Sequence, residues 1–262
     1  MKTSSGTWLS LFLALALVCI GRPSPAAVYA VGADLSGVVM RGVLVENLDI
    51  DAPWLPDGDH LLINGVDVIG FVEGELNRRF PGREQRRADT PEGLRAAWLV
   101  LQDAWSAAVQ RAADLSPAAV EASVDGEWTF AQTLRHLVLA TDTWLGRGVL
   151  ELEQPFHPIG QAMPNADEDG LDLSLFMTER PTYDEVLRVR AERVAMVTDF
   201  LADVTAADLA VERRNPWAPQ YPETTLSCLH VILEEEWEHL RYALRDLDAI
   251  ANATNDEGAA DE

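Results

Sequence analysis

The amino-acid sequence predicts a mainly α fold, an up-down four-helix bundle carrying a small N-terminal β cap. Three observations point there. Four stretches between residues 90 and 251 repeat apolar residues at steps of three and four, the helical period. Three of the four open on a pattern that starts helices. Upstream, from Ala33 to Ala52, the apolar period changes to five.

Lys2, the apolar run Trp8–Ile20 and the small pair Val28 and Ala30 read as a secretory leader over residues 1–30. The run falls short of the ~20 residues that cross a bilayer, so stable membrane insertion is not expected. The competing reading is a start assigned too early. In the next stretch Leu35, Met40, Val45 and Ile50 each have an apolar partner two residues before, at Ala33, Val38, Val43 and Leu48. This pattern resembles the pentapeptide-repeat family, in which four units make one square β-helical coil. Four units bury little alone, so residues 31–89 read as a repeat-like cap plus linker, with two short alternating strands as the other reading.

Leu61–Ile63, Asn64-Gly65 and Val66–Val68 predict a tight hairpin or a strand entering a helix, and that helix should stop at Pro81-Gly82. Arg78, Arg79, Arg83, Arg86 and Arg87 form a basic cluster. It reads as a solvated linker paired with the protein's own acids, or as an anion site. Thr90-Pro91-Glu92 opens the first long helix, whose stripe is Leu94, Trp98, Leu101, Trp105 and Ala108. The second runs from Trp128 to about Leu150, with Leu134, Leu137, Thr141 and Trp144 inward. A Thr182/Glu185 capping box starts the third, and Pro222-Glu223 the fourth. Residues 151–181, rich in proline and acid, are either a lid or a solvated excursion, and 252–262 should be disordered.

Forty-three acids against 20 bases give a formal charge of −23, which excludes a phosphate backbone as an expected partner. Two cysteines, Cys19 and Cys228, cannot build a disulfide framework or a cysteine-rich zinc module. Any metal site must therefore use histidine and carboxylate. On the fourth helix Glu235 and His239 lie one turn apart at the margin of the apolar stripe. Glu236, three residues before His239, competes for the same role. His136 flanks the stripe of the second helix. Packing the two helices together would add it to a Glu/His pair and leave a fourth coordination position open, as in catalytic zinc sites. A partly buried histidine and a solvated acidic face are the plainer readings. His230 should face elsewhere, His157 and His60 read as loop residues, and Cys228 as an inert core thiol.

Trp128-Thr129 followed by His136-Leu137 resembles the second-helix signature of the DinB superfamily, and the resemblance covers about residues 90–250. It implies a metal-binding histidine at His136 and two further ligands one turn apart on the last helix, where Glu235 and His239 stand. A His/Glu/His set is similar to the mycothiol-dependent maleylpyruvate isomerase branch. Gln132 departs from the glutamate of many relatives and leaves open whether it supports His136.

The resemblance implies a divalent metal, zinc, and a small-molecule thiol such as mycothiol, giving S-transfer or isomerisation of a small electrophile. A zinc-water hydrolase and a non-catalytic binding module are the alternatives. A thiol cofactor implies the cytoplasm, whereas the leader implies export. A homodimer is left open.

Overall fold

The computed structural model describes residues 34–163, 166–167 and 170–260, with side chains as far as Ala253. The leader-like residues 1–30 lie outside the described residues. The chain divides after Ile50 into two units.

In the first unit the five-residue period is written in the backbone. Gly37, Gly42 and Asn47 all take positive φ, at 74°, 63° and 55°. Left-handed residues at that spacing turn the chain once per repeat. No strand forms among residues 34–50, and every one of them is exposed, so the expected β cap is not a paired sheet.

The second unit is mainly helical with two small two-stranded sheets. It opens with the antiparallel hairpin β1 (Leu62–Ile63) and β2 (Val66–Asp67). Asn64 and Gly65 between them take φ of 51° and 82°, as a two-residue hairpin turn of type I′ requires. Helix α1 (Ile69–Arg79) follows directly and stops at Phe80. Gly82 has φ of 98°, and a Cβ there would lie 2.3 Å from Val100 Cγ1, so glycine alone lets the chain turn here.

The arginine cluster is not a solvated linker throughout, because Arg83 and Arg86 are buried. Arg83 Nη2 donates to Glu73 Oε1 at 3.0 Å and to Glu238 Oε1 at 2.9 Å, while its Nη1 donates to Asn77 Oδ1 at 3.0 Å. Arg86 Nη2 donates to Glu73 Oε2 at 2.6 Å. The acids that answer these arginines are the protein's own, and α1 is thereby locked to the last helix. A buried charge needs this many acceptors to offset its desolvation.

The long helices are α2 (Pro91–Leu115), α3 (Phe130–Thr141) and α4 (Tyr183–Asp203), followed by the short α5 (Ala206–Leu209) and the long α6 (Thr225–Ala260). Thr90 caps α2, and Thr129/Gln132 and Thr182/Glu185 form capping boxes on α3 and α4. Leu94, Trp98, Leu101, Trp105 and Ala108 of α2 are all buried, with Leu134 and Leu137 of α3, Val189 and Val197 of α4, and Leu233, Trp237 and Leu240 of α6. Trp98 Nε1 donates to Thr198 Oγ1 at 2.9 Å and ties α2 to α4.

The closely packed pairs are α2–α6, α6–α3, α3–α4 and α4–α2, which sets the order around the core. Only α3–α4 joins helices consecutive among the four. The simple succession in which each long helix lies beside the next is therefore not the order here. Its consequence for function is that α3 and α6, far apart in sequence, lie side by side.

Two local departures from the sequence pattern have clear causes. After Thr141 the helix widens into a π turn at Asp142–Arg147. The extra residue shifts the register, so Leu145 is fully buried and Trp144 only half. Asp142, buried in that turn, receives Arg193 Nε at 2.5 Å and His157 N at 2.8 Å. Pro222-Glu223 do not open α6. They belong to β4 (Pro222–Thr224), paired antiparallel with β3 (Glu212–Arg214), with Pro222 at the strand's first position where a missing N–H is tolerated. Thr224 and Ser227 then cap α6, Ser227 N donating to Thr224 Oγ1 at 3.0 Å and Thr224 N to Ser227 Oγ at 2.8 Å. At its far end α6 runs to Ala260, through the acidic tail that composition reads as disordered.

Residues between the π turn and α4 are no solvated excursion. Ile159, Ala166 and Leu171 are buried, the last two against Leu139 of α3. This docks the segment on the bundle beside His136. No helix among the described residues is long and apolar enough to cross a membrane.

Candidate metal centre

His136 comes from α3, and Glu235 and His239 from successive turns of α6. Because α3 and α6 are neighbours, one ligand atom from each of the three residues falls within 4.8 Å of the others. His136 Nε2 is 3.4 Å from Glu235 Oε2, and the two imidazole centroids are 4.7 Å apart.

The hydrogen bonds set the tautomers. His136 Nδ1 is 3.1 Å from the Gln161 carbonyl oxygen, and His239 Nδ1 is 2.8 Å from the Glu235 carbonyl oxygen. A carbonyl only accepts, so each Nδ1 carries a proton, and Nε2 is the ring atom left free to meet a ligand. Glu235 Oε2 also lies 3.4 Å from His239 Nδ1. At 3.4 Å His136 Nε2 and Glu235 Oε2 are close enough for a proton, or for a metal ion in its place, to join them.

The electrostatics agree. Burial, then the charge of His136, push His239 down to about 4 against the pull of Glu235, so its ring is neutral at pH 7 as a metal ligand must be. Burial pushes Glu235 up, yet the hydrogen bond and charge of His136 and the charge of His239 hold it below its ordinary value. Two imidazoles and one carboxylate are the donor set of a borderline divalent ion such as zinc, and carbonyl-anchored Nδ1 groups are the usual support for such histidines.

The other acids of the run are taken. Glu234 meets Arg87 Nη2 at 2.5 Å, Glu238 meets Arg83 and Arg241 at 2.9 and 3.0 Å, and both oxygens of Glu236 receive Arg190 Nη2 at 2.5 Å. Glu236, the competing ligand on spacing, thus stands outside the cluster because a buried arginine on α4 claims it. Gln132 does not support His136 either. Its Oε1 accepts Thr129 N at 3.0 Å to complete the capping box, and the Gln161 carbonyl holds the histidine instead. Nothing in the sequence marks Gln161, since a backbone carbonyl on a long connection has no residue signature.

Trp128, noticed only as part of a helix-start motif, covers the cluster. Its ring lies 4.7 Å from that of His136 and 6.1 Å from that of His239, stacked at 20° on the latter. The site opens into a 220 Å³ cavity walled by Pro53, Trp54, Met163 and Tyr242. The remaining histidines are elsewhere: His230 Nε2 is 2.8 Å from the Ala88 carbonyl oxygen, His157 Nδ1 accepts Ile159 N, and His60 is an exposed loop residue. Cys228 is fully buried, and burial pushes its thiol up to about 12.

A family model described as DinB superfamily matches residues 69–243. No curated protein and no solved structure matches the chain.

Proposed function

The chain belongs to the DinB superfamily, whose members typically bind metal, and we propose that it is a metal-dependent enzyme acting with a small-molecule thiol of the mycothiol type. His136, Glu235 and His239 would hold one divalent ion, zinc by its donor set. The observation that carries this reading is their convergence, with both Nδ1 groups committed to carbonyls, at the floor of a cavity. Bound there, zinc would keep a thiol sulfur ionised at neutral pH, ready for transfer to an electrophilic carbon or for reversible addition that isomerises a double bond.

The chain's own residues support the thiol half of this reading. Cys228, the cysteine among the described residues, is buried with its proton held to about 12 and cannot act as the nucleophile. Within this reading the sulfur comes from a small-molecule thiol rather than from the described residues. Trp128 covers one side of the imidazoles, and Trp54 and Tyr242 add aromatic wall to the cavity beside them. A thiol cofactor of this kind places the working protein in the cytoplasm.

Metal analysis of the purified chain tests the site, with one divalent ion per chain expected and loss of it in His136→Ala and His239→Ala. X-ray absorption with added mycothiol should then detect sulfur bound to the metal, and consumption of an electrophile should require metal and thiol together. Metal-dependent ester or amide cleavage without thiol would replace this reading with a hydrolase. Stoichiometric metal in the double histidine variant would move the metal to other residues, and a parent chain that takes up no metal would leave a binding module.

A further inference from the structure

A second cavity, of 620 Å³, adjoins the first and shares Trp128 and Met163 with it. Gln161, which holds His136 through its carbonyl, is also in its wall. So is Arg135, the residue before His136 on α3. Arg135 Nε donates to the Ile159 carbonyl at 2.8 Å, which fixes the guanidinium, while its Nη groups have no hydrogen-bond or carboxylate partner among the described residues.

That vacancy is unusual in a chain with 43 acids and 20 bases. Among the described residues Arg41, Arg147 and Arg214 also lack a carboxylate within ion-pairing distance, but all three are exposed, whereas Arg135 is half-buried. Burial lowers its pKa, the charge of Glu121 acts against that shift and the neighbouring charge of Arg180 adds to it. Among the described residues no acid pairs with it: Glu121, within electrostatic reach, pairs with Arg180, and Glu179 in the cavity wall is exposed. Phe176 and Met177 supply an apolar wall for the body of a ligand.

We infer that this cavity is a substrate subsite for a small carboxylic acid, with Arg135 clamping the carboxylate through its two Nη groups while the reactive carbon reaches the metal past Trp128 and Met163. Arginine suits this because its fork matches a carboxylate with two parallel bonds. The assignment names the substrate class of the metal-centre reading and rests on it for the reaction, but carboxylate binding itself needs no metal.

Calorimetric titration of the full chain with phenylbutyrate and with uncharged phenylbutyramide tests it. Phenylbutyrate should bind at least about tenfold more tightly, the usual scale of a charge-assisted hydrogen bond. Arg135→Gln should erase that preference, and Arg135→Lys should keep part of it. Both variants give up the bond to the Ile159 carbonyl and should melt a few degrees lower, so an affinity for the uncharged phenylbutyramide equal to the parent's is the control for an intact cavity. Repeating the titration on metal-free chain separates the two readings. A preference for phenylbutyrate in a chain that never binds metal would sink only the metal centre. Equal affinity for acid and amide, or an undiminished preference in Arg135→Gln, overturns the subsite even where the metal centre stands.

Discussion

Glu235 Oε2 and His136 Nε2 face each other 3.4 Å apart across the seam between α3 and α6, and Glu235 is the carboxylate of the 234–238 run that no arginine claims. The arginines therefore do the sorting within the acidic run. Arg87, Arg190 and Arg83 draw Glu234, Glu236 and Glu238 into structural pairs, which leaves one acid beside two imidazoles.

That sorting predicts opposite phenotypes for adjacent residues. Glu235→Gln should cost metal affinity at least about tenfold while leaving the denaturation midpoint close to the parent's. Glu236→Gln should keep the metal but destabilise the fold by about 3–5 kcal/mol, because Arg190 is left charged and buried without its counter-ion. Metal content and urea unfolding measured on both variants decide it. The reverse order would assign the ligand role to Glu236.

What the sequence made legible was what repeats locally. The α2 stripe, the Thr182/Glu185 box and the Asn64-Gly65 hairpin each follow from residues within a few positions of one another, and so did the helix margins on which His136, Glu235 and His239 lie. What escaped depends on partners far along the chain. Arg83 reads as linker until Glu238, 155 residues away, is seen to receive it. Gln132 is the support for His136 that the sequence offers, and only the docking of the long connection puts the Gln161 carbonyl there instead. The π turn at Asp142 likewise needs Arg193 of α4 to hold its buried carboxylate.

Arg83 and Arg87 form a second contrast. Arg83 is 2% exposed and bridges Glu73 of α1 to Glu238 of α6, so Arg83→Ala should cost about 3–5 kcal/mol in equilibrium unfolding. Arg87 has a side chain 47% exposed, so its pair with the exposed Asp57 is largely screened by solvent, and the buried Glu234 keeps Arg86 Nε at 3.8 Å when Arg87 is removed. Arg87→Ala should cost no more than about 1 kcal/mol. Similar losses for the two would mean that α1 is not anchored through Arg83.

Cys228 should resist alkylation by iodoacetamide at pH 8 in the folded chain and react at once in urea, because its folded thiol stays protonated up to about 12. The same shift has a sign for stability. A raised folded pKa means that the unfolded chain loses this proton first as pH rises. The contribution is therefore whole below the ordinary thiol pKa and fades as pH climbs from there toward about 12. Cys228→Ala should flatten that alkaline decline, and fast labelling of the native protein would contradict the buried assignment.

The segment from Asp51 to Asp57 lies over the metal cavity, contributing Pro53 and Trp54 to its wall, and it is tied down at both ends by ion pairs. Asp51 receives Arg241 through both oxygens, at 2.5 and 3.1 Å, with Tyr242 OH at 3.3 Å, while Asp57 receives Arg87 at 2.9 Å. These groups are partly exposed, and such pairs contribute only about 0–1 kcal/mol each, so the strap should open often and open more in salt. The rate at which a chelator removes zinc from the loaded chain should accordingly rise with sodium chloride. In the double variant Asp51→Asn/Asp57→Asn the rate should be faster at low salt and nearly independent of it, while metal content before chelation stays that of the parent. Trp54→Ala should also speed removal yet retain the salt dependence, because it takes away the cover and leaves the ties. If the parent's rate ignores salt and the double variant matches it, metal leaves by another path and the segment is a fixed wall.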